Sequence, residues 1–117
     1  MVAGIQTAVS ALHGFSAKLA VVSNNVANFN TDGFTTRRAS IQEKQYGGIE
    51  VSIQQKQTPP DPIADSEPSK THDKEASNVD LTEEITHMLL AARGFEANIR
   101  CFTTQDEMQS TVLDIIG

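Results

Sequence analysis

Apolar residues in the last third of the chain recur in alternating steps of four and three. This spacing places them on one side of a helix, in the kind of seam along which two helices pack. The seam runs through Leu81, Ile85, Met88, Ala92, Phe95, Ile99 and Phe102, and it recovers at Leu113 and Ile116. A second stripe beside it carries Cys101, Met108, Val112 and Ile115. The pattern predicts a long helix over residues 79–117 whose apolar surface widens toward its C-terminal end.

The first third of the chain carries a similar seam. It consists of Ile5, Ala8, Leu12, Phe15, Leu19, Val22 and Val26. A helix is therefore predicted within residues 1–30, and it should end between Val26 and Asn30, because asparagine side chains compete with the backbone for hydrogen bonds. Small residues such as Gly4 and Gly14 would let a neighbouring backbone come close, and Gly94 likewise predicts a close approach by another backbone. The seam suits core packing or a surface held for assembly, and the two uses are compatible.

Between the helices the pattern is typical of strands. Ile49, Val51 and Ile53 alternate with polar residues, which predicts a strand with one apolar face. The pair Gly47-Gly48 predicts a two-residue hairpin turn, so residues 31–57 should form a turn and a small β-hairpin. Residues 58–78 contain all four prolines of the chain. They predict an extended linker, because each Pro removes a backbone donor and the polar mix cannot bury a core.

These elements together predict a mainly α fold. The long N- and C-terminal helices would pair as an antiparallel coiled coil, with the small β-hairpin and the Pro-rich linker between them. Asp80 is expected to cap the second helix, with Glu83 completing a capping box. The residues predicted to form the helix-packing or assembly interface are Ile5, Leu12, Phe15, Leu19, Val22, Val26, Leu81, Ile85, Met88, Phe95, Ile99, Phe102, Met108, Val112, Leu113, Ile115 and Ile116.

Composition narrows the choice of partners. The formal net charge of the 117-residue chain is −6, which argues against nucleic acid or an anionic membrane as the main partner, because both need clustered Lys and Arg. The chain contains one cysteine, so no internal disulfide is expected. No apolar run of about 18 residues is present, so no membrane insertion is expected. The N-terminal segment has no basic residue before Lys18, unlike a cleaved secretory signal peptide.

No residue pattern predicts catalysis, a metal site or a cofactor site. The histidines are scattered over both helices and the linker, at His13, His72 and His87. On the predicted helices only His87 has carboxylates at helical spacing, those of Glu83 and Glu84, and it lacks the second histidine of a helical metal site. Cys101 lies on the second apolar stripe, which favours burial over reactivity. We therefore expect a protein that is not an enzyme and holds neither a metal ion nor a cofactor.

Two groups of residues mark the end of the first helix and the start of the second. The first group is Ser23, Asn24, Asn25, Asn28, Asn30, Thr31, Gly33 and Phe34, and the second begins with Ser77, Asn78, Val79, Asp80 and Leu81. Both resemble the terminal motifs of bacterial flagellar axial proteins, a family of rod, hook and hook-associated proteins. Only residues 35–76 separate the two groups, so the chain most resembles the short proximal-rod members. The rod subtype stays open, as does a divergent or accessory rod-like protein.

The resemblance implies a structural subunit of the flagellar basal-body rod, the axial drive shaft that spans the periplasm. Members of the family leave the cell unfolded through the flagellar type III export apparatus, without a cleaved signal peptide. Their terminal helices pair and stack around the export channel. The implied partners are other rod subunits and neighbouring axial proteins, in a helical hetero- or homo-oligomer. The alternative is a cytosolic helical adaptor or export chaperone of the flagellar system, which would share the acidic, helical composition.

Overall fold

The computed structural model describes residues 2–57 and 76–117. Its elements are helix α1 (Val2–Ala27), strands β1 (Arg37–Glu43) and β2 (Ile49–Gln55), and helix α2 (Leu81–Ile116). At 1.5 Å per residue the two helices are about 39 and 54 Å long. The predicted mainly α fold, with two long packed helices and a small hairpin, is confirmed. Most of the predicted linker, including His72, lies outside the described residues.

The two helices pack antiparallel in a constant register. Three contacts define it: Gly4 with Gln105, Phe15 with Gly94, and Asn25 with Glu84. Each step along one helix is matched by an equal step in the opposite direction along the other. By this alignment Val2 lies opposite about residue 107, so residues 108–116 of α2 continue beyond the described part of α1.

Gly94 makes room for an aromatic ring between the helices. A Cβ atom added at Gly94 would lie 2.3 Å from the nearest ring carbon of Phe15. The sequence predicted a backbone at this place, and the structure instead shows a side chain, because the flat ring fills the space that the missing Cβ leaves. The ring therefore fixes how the middle of α1 sits on α2.

The seam that α2 presents to α1 differs from the predicted seam at every second position. Met88, Phe95 and Phe102 are half-buried. The buried or half-buried positions between and around them are Glu84, Ala91, Asn98 and Gln105. Each of these four residues comes one position before a position of the predicted seam. The predicted positions therefore turn outward, and Ile85 and Ile99 are 57% and 44% exposed. The contact between Glu84 and Asn25 explains the rotation, since it points position 84 rather than position 85 at α1.

The hairpin turn was predicted wrongly. Strands β1 and β2 pair antiparallel from Arg37 opposite Gln55 to Glu43 opposite Ile49. The amide of Lys44 then donates to the carbonyl of Gly48 (3.0 Å), and that of Gly47 donates to the carbonyl of Lys44 (3.1 Å). Residues 45–47 therefore form a three-residue loop, and not a two-residue Gly47-Gly48 turn. Gly47 has a φ of 88°, the left-handed conformation that closes such loops.

The hairpin lies against one side of α1. The backbone amide of Ile49 donates to the hydroxyl of Ser10 (3.0 Å). Gly14, one turn later, is buried, and an added Cβ atom there would lie 2.0 Å from the end of the Ile49 side chain. Gly14 thus makes room for the side chain of Ile49, where the sequence predicted a neighbouring backbone.

The buried apolar interior is small. Among the described residues, the buried hydrophobic residues are Ala8, Val22, Val79 and Ala91. The largest fully buried side chains are instead polar, those of Glu84, Asn25 and Thr36. Because large apolar residues contribute most to a core and nearly all of them are half-buried or exposed here, the polar side chains carry an unusual share of the packing.

Replacement of Gly94 by Ala tests the fit of the Phe15 ring. The added methyl group should overpack the interface and so lower the free energy of unfolding by about 1–3 kcal/mol. This loss should outweigh the gain of about 1 kcal/mol that alanine brings in helix propensity. Gly4→Ala is the matched control, because its new methyl would meet only the movable end of Gln105 at 3.1 Å. Urea denaturation in an osmolyte-stabilised buffer, followed by circular dichroism, measures both. Equal effects of the two substitutions would contradict the assigned register.

Candidate functional site

A buried polar network joins the end of α1, the base of the hairpin and the start of α2. Asn25 is its centre and has no exposed surface. Its Nδ2 donates to the carbonyl of Arg37 (2.7 Å) and to Oε2 of Glu84 (3.0 Å), and its Oδ1 accepts from the amide of Arg37 (3.0 Å). One side-chain amide therefore connects three elements and leaves none of its own polar atoms unpaired.

Glu84 places a carboxylate in this interior with no exposed surface. Its second oxygen, Oε1, accepts from Nη1 of Arg38. The other guanidinium nitrogen of Arg38 lies 2.8 Å from Oε2 of Glu83. A buried carboxylate is tolerated only when it is paired and hydrogen-bonded, and Glu84 has a hydrogen bond to each oxygen. We call the network of Asn25, Arg38 and Glu84 the polar joint.

A second set of hydrogen bonds ties the segment before α2 to the hairpin. The amide and hydroxyl of Thr36 both donate to Oδ1 of Asn78, at 2.7 and 2.8 Å. The amide of Asn78 donates to the carbonyl of Phe34 (3.4 Å), and the amide of Lys56 donates to the carbonyl of Thr36 (2.8 Å). The chain entering α2 is therefore held at the base of the sheet, next to the polar joint.

The turn between α1 and the hairpin is built by the asparagine-rich motif. Asn28 Nδ2 donates to the carbonyl of Asn24 (2.8 Å), and its Oδ1 accepts from the hydroxyl of Thr31 (3.2 Å). The amide of Phe34 donates to the carbonyl of Thr31 (3.2 Å). Gly33 has a φ of 72°, and no other atom lies within 4 Å of a Cβ atom built there. The turn thus needs glycine at this position for its backbone conformation and not for space.

The N-cap of α2 is confirmed. Oδ1 of Asp80 accepts from the amides of Thr82 (2.9 Å) and Glu83 (3.4 Å). The carboxylate of Glu83 is directed to the side chain of Arg38, and it also lies 3.8 Å from Nε2 of His87. Glu83 therefore contacts the base of the hairpin, although the sequence suggested that it would complete the capping box.

The two motif groups thus contribute unequally to this region. Asn25 takes part in the joint, Asn24, Asn28, Thr31, Gly33 and Phe34 form the turn, and Asp80 forms the cap. Asn78 is bonded to Thr36, and Val79 beside it is buried. Ser23 and Asn30 are exposed, and Ser77 accepts a bond from the amide of Val79 (3.4 Å). Sequence reasoning missed Thr36, Arg38 and Glu84. The one available signal was that Glu84 stands at heptad spacing from Met88 and Ala91, which is an unusual place for a carboxylate.

A large apolar surface remains uncovered. On α1, Ile5, Leu12, Phe15, Leu19 and Val26 are half-buried and Val22 is buried. On α2 the exposed fractions are 38% for Leu81, 57% for Met108, 40% for Val112, 61% for Leu113, and 79% for Ile115 and Ile116. Exposed apolar residues grouped at one end of a helix, as from Met108 to Ile116, mark interaction sites in soluble proteins.

Other kinds of site find little support in the described part of the chain. Within residues 2–57 and 76–117 no cluster of three or more metal-ligating side chains occurs. The same residues include no helix with the length and hydropathy needed to cross a membrane. Cys101 was predicted to be buried, and it is exposed, because it lies on the flank of α2 and not on the seam against α1.

Removal of the Glu84 carboxylate tests the polar joint. Glu84→Ala leaves the Asn25 amide and the Arg38 guanidinium without their partner and should lower the free energy of unfolding by about 3–5 kcal/mol. Glu83→Ala is the matched control: it removes a neighbouring carboxylate from the same arginine, but this pair is partly exposed and contributes only about 0–1 kcal/mol. Urea denaturation compares the two. A loss at Glu84 no larger than that at Glu83 would contradict the role of the joint.

Comparison with known protein families places both ends of the chain. Residues 5–35 match the family described as flagella basal body rod protein, and residues 75–115 match the flagellar basal body rod FlgEFG protein C-terminal family. The first match covers most of α1 and its asparagine-rich turn. The second covers the segment held by Thr36 and nearly all of α2.

Individual relatives agree with these matches. The flagellar basal-body rod protein FlgG of Bacillus subtilis is 46% identical over 41 residues, which is 35% of this chain and 16% of the relative. The flagellar hook protein FlgE of Helicobacter pylori is 42% identical over 41 residues, 35% of this chain and 6% of the relative. The flagellar hook-associated protein 1 of Bacillus subtilis is 46% identical over 43 residues, which is 37% of this chain and 8% of the relative. The matches thus span only a small part of each relative. The two terminal regions of this chain, residues 5–35 and 75–115, therefore belong to families of flagellar rod proteins.

Proposed function

We propose that this protein is a structural subunit of the bacterial flagellar basal-body rod, without enzymatic activity. The observation that supports the proposal best is the match of both terminal regions to rod-protein families, in helices that leave much apolar surface exposed. In this proposal α1 and α2 stack with the helices of neighbouring subunits around the axial export channel. The short stretch between the two motif groups favours a proximal-rod-like member.

The energetics of the single chain favour assembly. Ordering the backbone costs about 1–2 kcal/mol per residue, while full burial of a Leu- or Ile-sized side chain contributes about 1.5–3 kcal/mol. Side chains such as Ile85, Ile115 and Ile116, which are more than half exposed, contribute only part of this in the isolated chain. Neighbouring subunits would cover these side chains and supply the remaining free energy of burial. Folding and incorporation would therefore be coupled.

The polar joint has a specific task in such a subunit. Its contacts fix both the register and the rotation of α2 against α1, so each copy would present its uncovered apolar residues in the same positions. A repeating assembly needs this uniformity, since each interface must be reproduced from one subunit to the next. We propose that the motif residues serve assembly by holding this geometry, without themselves touching the neighbouring subunits.

Incorporation into the flagellum tests the proposed function. Leu19→Asp or Phe95→Asp would place a charge at the packed helices and should abolish both motility and recovery of the protein in detergent-extracted basal bodies. Leu19→Met, which nearly preserves side-chain volume, is the control and should swim normally. Normal swimming of either Asp strain would contradict a packing role. Recovery of the unmodified protein in the cytosol alone would favour the adaptor or chaperone alternative.

Concentration dependence tests the coupling of folding to assembly. At micromolar concentration the purified chain should be only partly helical, and its helix content by circular dichroism should rise with protein concentration, because self-association covers the exposed apolar residues. Ile116→Asp places a charge among the exposed apolar residues of α2 and should reduce this rise of helix content with protein concentration. A fully helical chain that melts cooperatively and independently of concentration would overturn the coupled picture.

A further inference from the structure

One face of the helix pair is apolar and lies away from the hairpin. On α1 the hairpin contacts Ser10 and Gly14. Leu12 is two residues from each of these. At about 100° per residue its side chain is turned some 200° around the helix from theirs, and it therefore points away from the hairpin. Leu19 follows Leu12 by two turns and lies on the same side. Both leucines are half-buried, so α2 covers them on one flank only.

The neighbouring face of α2 has the same character. Glu83, one residue before the seam position 84, contacts Arg38 of the hairpin. Residues one position after the seam lie on the opposite flank, away from the hairpin. These are Ile85, Ala92 and Ile99, all exposed. The antiparallel register brings Ile99 near Leu12 and Ala92 near Leu19. We call these five residues the open face.

The C-terminal end of α2 is the second uncovered surface. Residues 108–116, the overhang, extend about 14 Å past Val2 at 1.5 Å per residue. They carry Met108, Val112, Leu113, Ile115 and Ile116, which are 40–79% exposed. The heptad positions of the seam continue into this segment at Gln109, Val112 and Ile116, where no described residue of α1 faces them.

We infer that the overhang of one copy docks on the open face of a second copy. This inference rests on the proposed function and specifies its subunit contact. The overhang continues the α1–α2 interface and therefore already has the spacing of a helix that packs against helices. The open face lies between two antiparallel helices, whose shallow groove accepts a third helix as its complement. The occupant is thus helical, apolar along one side, and present in every copy.

Charge agrees with this pairing. The acidic groups at and just before the overhang are Asp106, Glu107 and Asp114, with no basic residue among residues 101–117. Beside Ile99 and Ala92, the exposed outer side of α2 carries Arg93 and Arg100, both bonded to Glu96 at 3.0 Å. The bond from Arg100, together with that from Arg93, keeps the pKa of Glu96 below its ordinary value. This rim therefore has a net positive charge near neutral pH, opposite to that of the overhang.

The two surfaces lie at different places on the molecule, so the contact is head to tail. Each docked copy would still offer its own open face or overhang to the next, and such contacts extend into a helical array unless the rotation closes a ring. The geometry therefore predicts open-ended growth and not a closed dimer.

Paired cysteines test the contact in the full chain. In a Cys101→Ser background, Leu12→Cys is combined with Ile115→Cys and oxidised, both in purified concentrated protein and in basal bodies. Leu12 lies opposite about residue 97, so within one chain the two sulfur atoms would be some 27 Å apart along the axis, too far for a disulfide. The expected product is a ladder of disulfide-linked multimers. His13→Cys with Ile115→Cys is the matched control, since His13 is exposed one residue away on another face.

The outcomes separate the contact from the function. A ladder formed several-fold more by the Leu12 pair than by the His13 pair supports the docking. Equal yields, no ladder, or a Leu12→Cys adduct with a different protein overturns it, even where the chain is recovered in basal bodies and the rod function stands. Absence from basal bodies overturns the rod function, whatever the purified protein does. Ile99→Cys with Ile115→Cys repeats the test at a more exposed position, in case Leu12→Cys disturbs the fold.

Discussion

The burial of the Glu84 carboxylate is the constraint on which the rest of the structure depends. A charge without exposed surface needs a partner for each oxygen, and these partners come from Asn25 of α1 and Arg38 of the hairpin. None of the three elements can shift without leaving a buried polar group unpaired, which is costly in a low-dielectric interior. An apolar contact at this position would tolerate several rotations of α2. The polar joint tolerates one.

The rotation that the joint selects determines what each helix shows to its surroundings. By pointing Glu84, Ala91 and Asn98 at α1, it uses small and polar residues for the contact within the chain. The larger apolar residues one position later, Ile85 and Ile99, are turned outward. The molecule therefore holds its shape through hydrogen bonds and the packing of Phe15 at Gly94, and it leaves Ile85 and Ile99 exposed. Exposed apolar residues on a fixed pair of helices suit a chain whose terminal regions match flagellar rod proteins.

Much of the fold could be read from the sequence, because it follows from periodicity and local chemistry. The heptad spacing and the asparagines after it predict a helix that ends between Val26 and Asn30, and α1 ends at Ala27. Asp80 predicts the start of α2 by the same local logic. The offset of one residue on α2 could not be predicted in this way. Hydrophobicity favours Ile85 over Glu84 for the contact, and only the hydrogen bonds from Asn25 and Arg38 reverse the order. These partners are 59 and 46 residues distant in the sequence, beyond the reach of any local pattern. The prediction of the hairpin loop was wrong for a different reason: a Gly-Gly pair is compatible with more than one type of turn.

The constant register of the helices also restricts how the chain can change in length. It is anchored near both ends, by Gly4 against Gln105 and by Asn25 against Glu84. An insertion between these anchors in one helix alone would misalign one of them, and even a matched insertion in both would rotate the seams unless it came in whole heptads. The regions outside the anchors carry no such restriction. Evolutionary variation in length should therefore concentrate after Gln105 in α2 and between β2 and Asn78, while the spacing between the anchors should change only by multiples of seven residues.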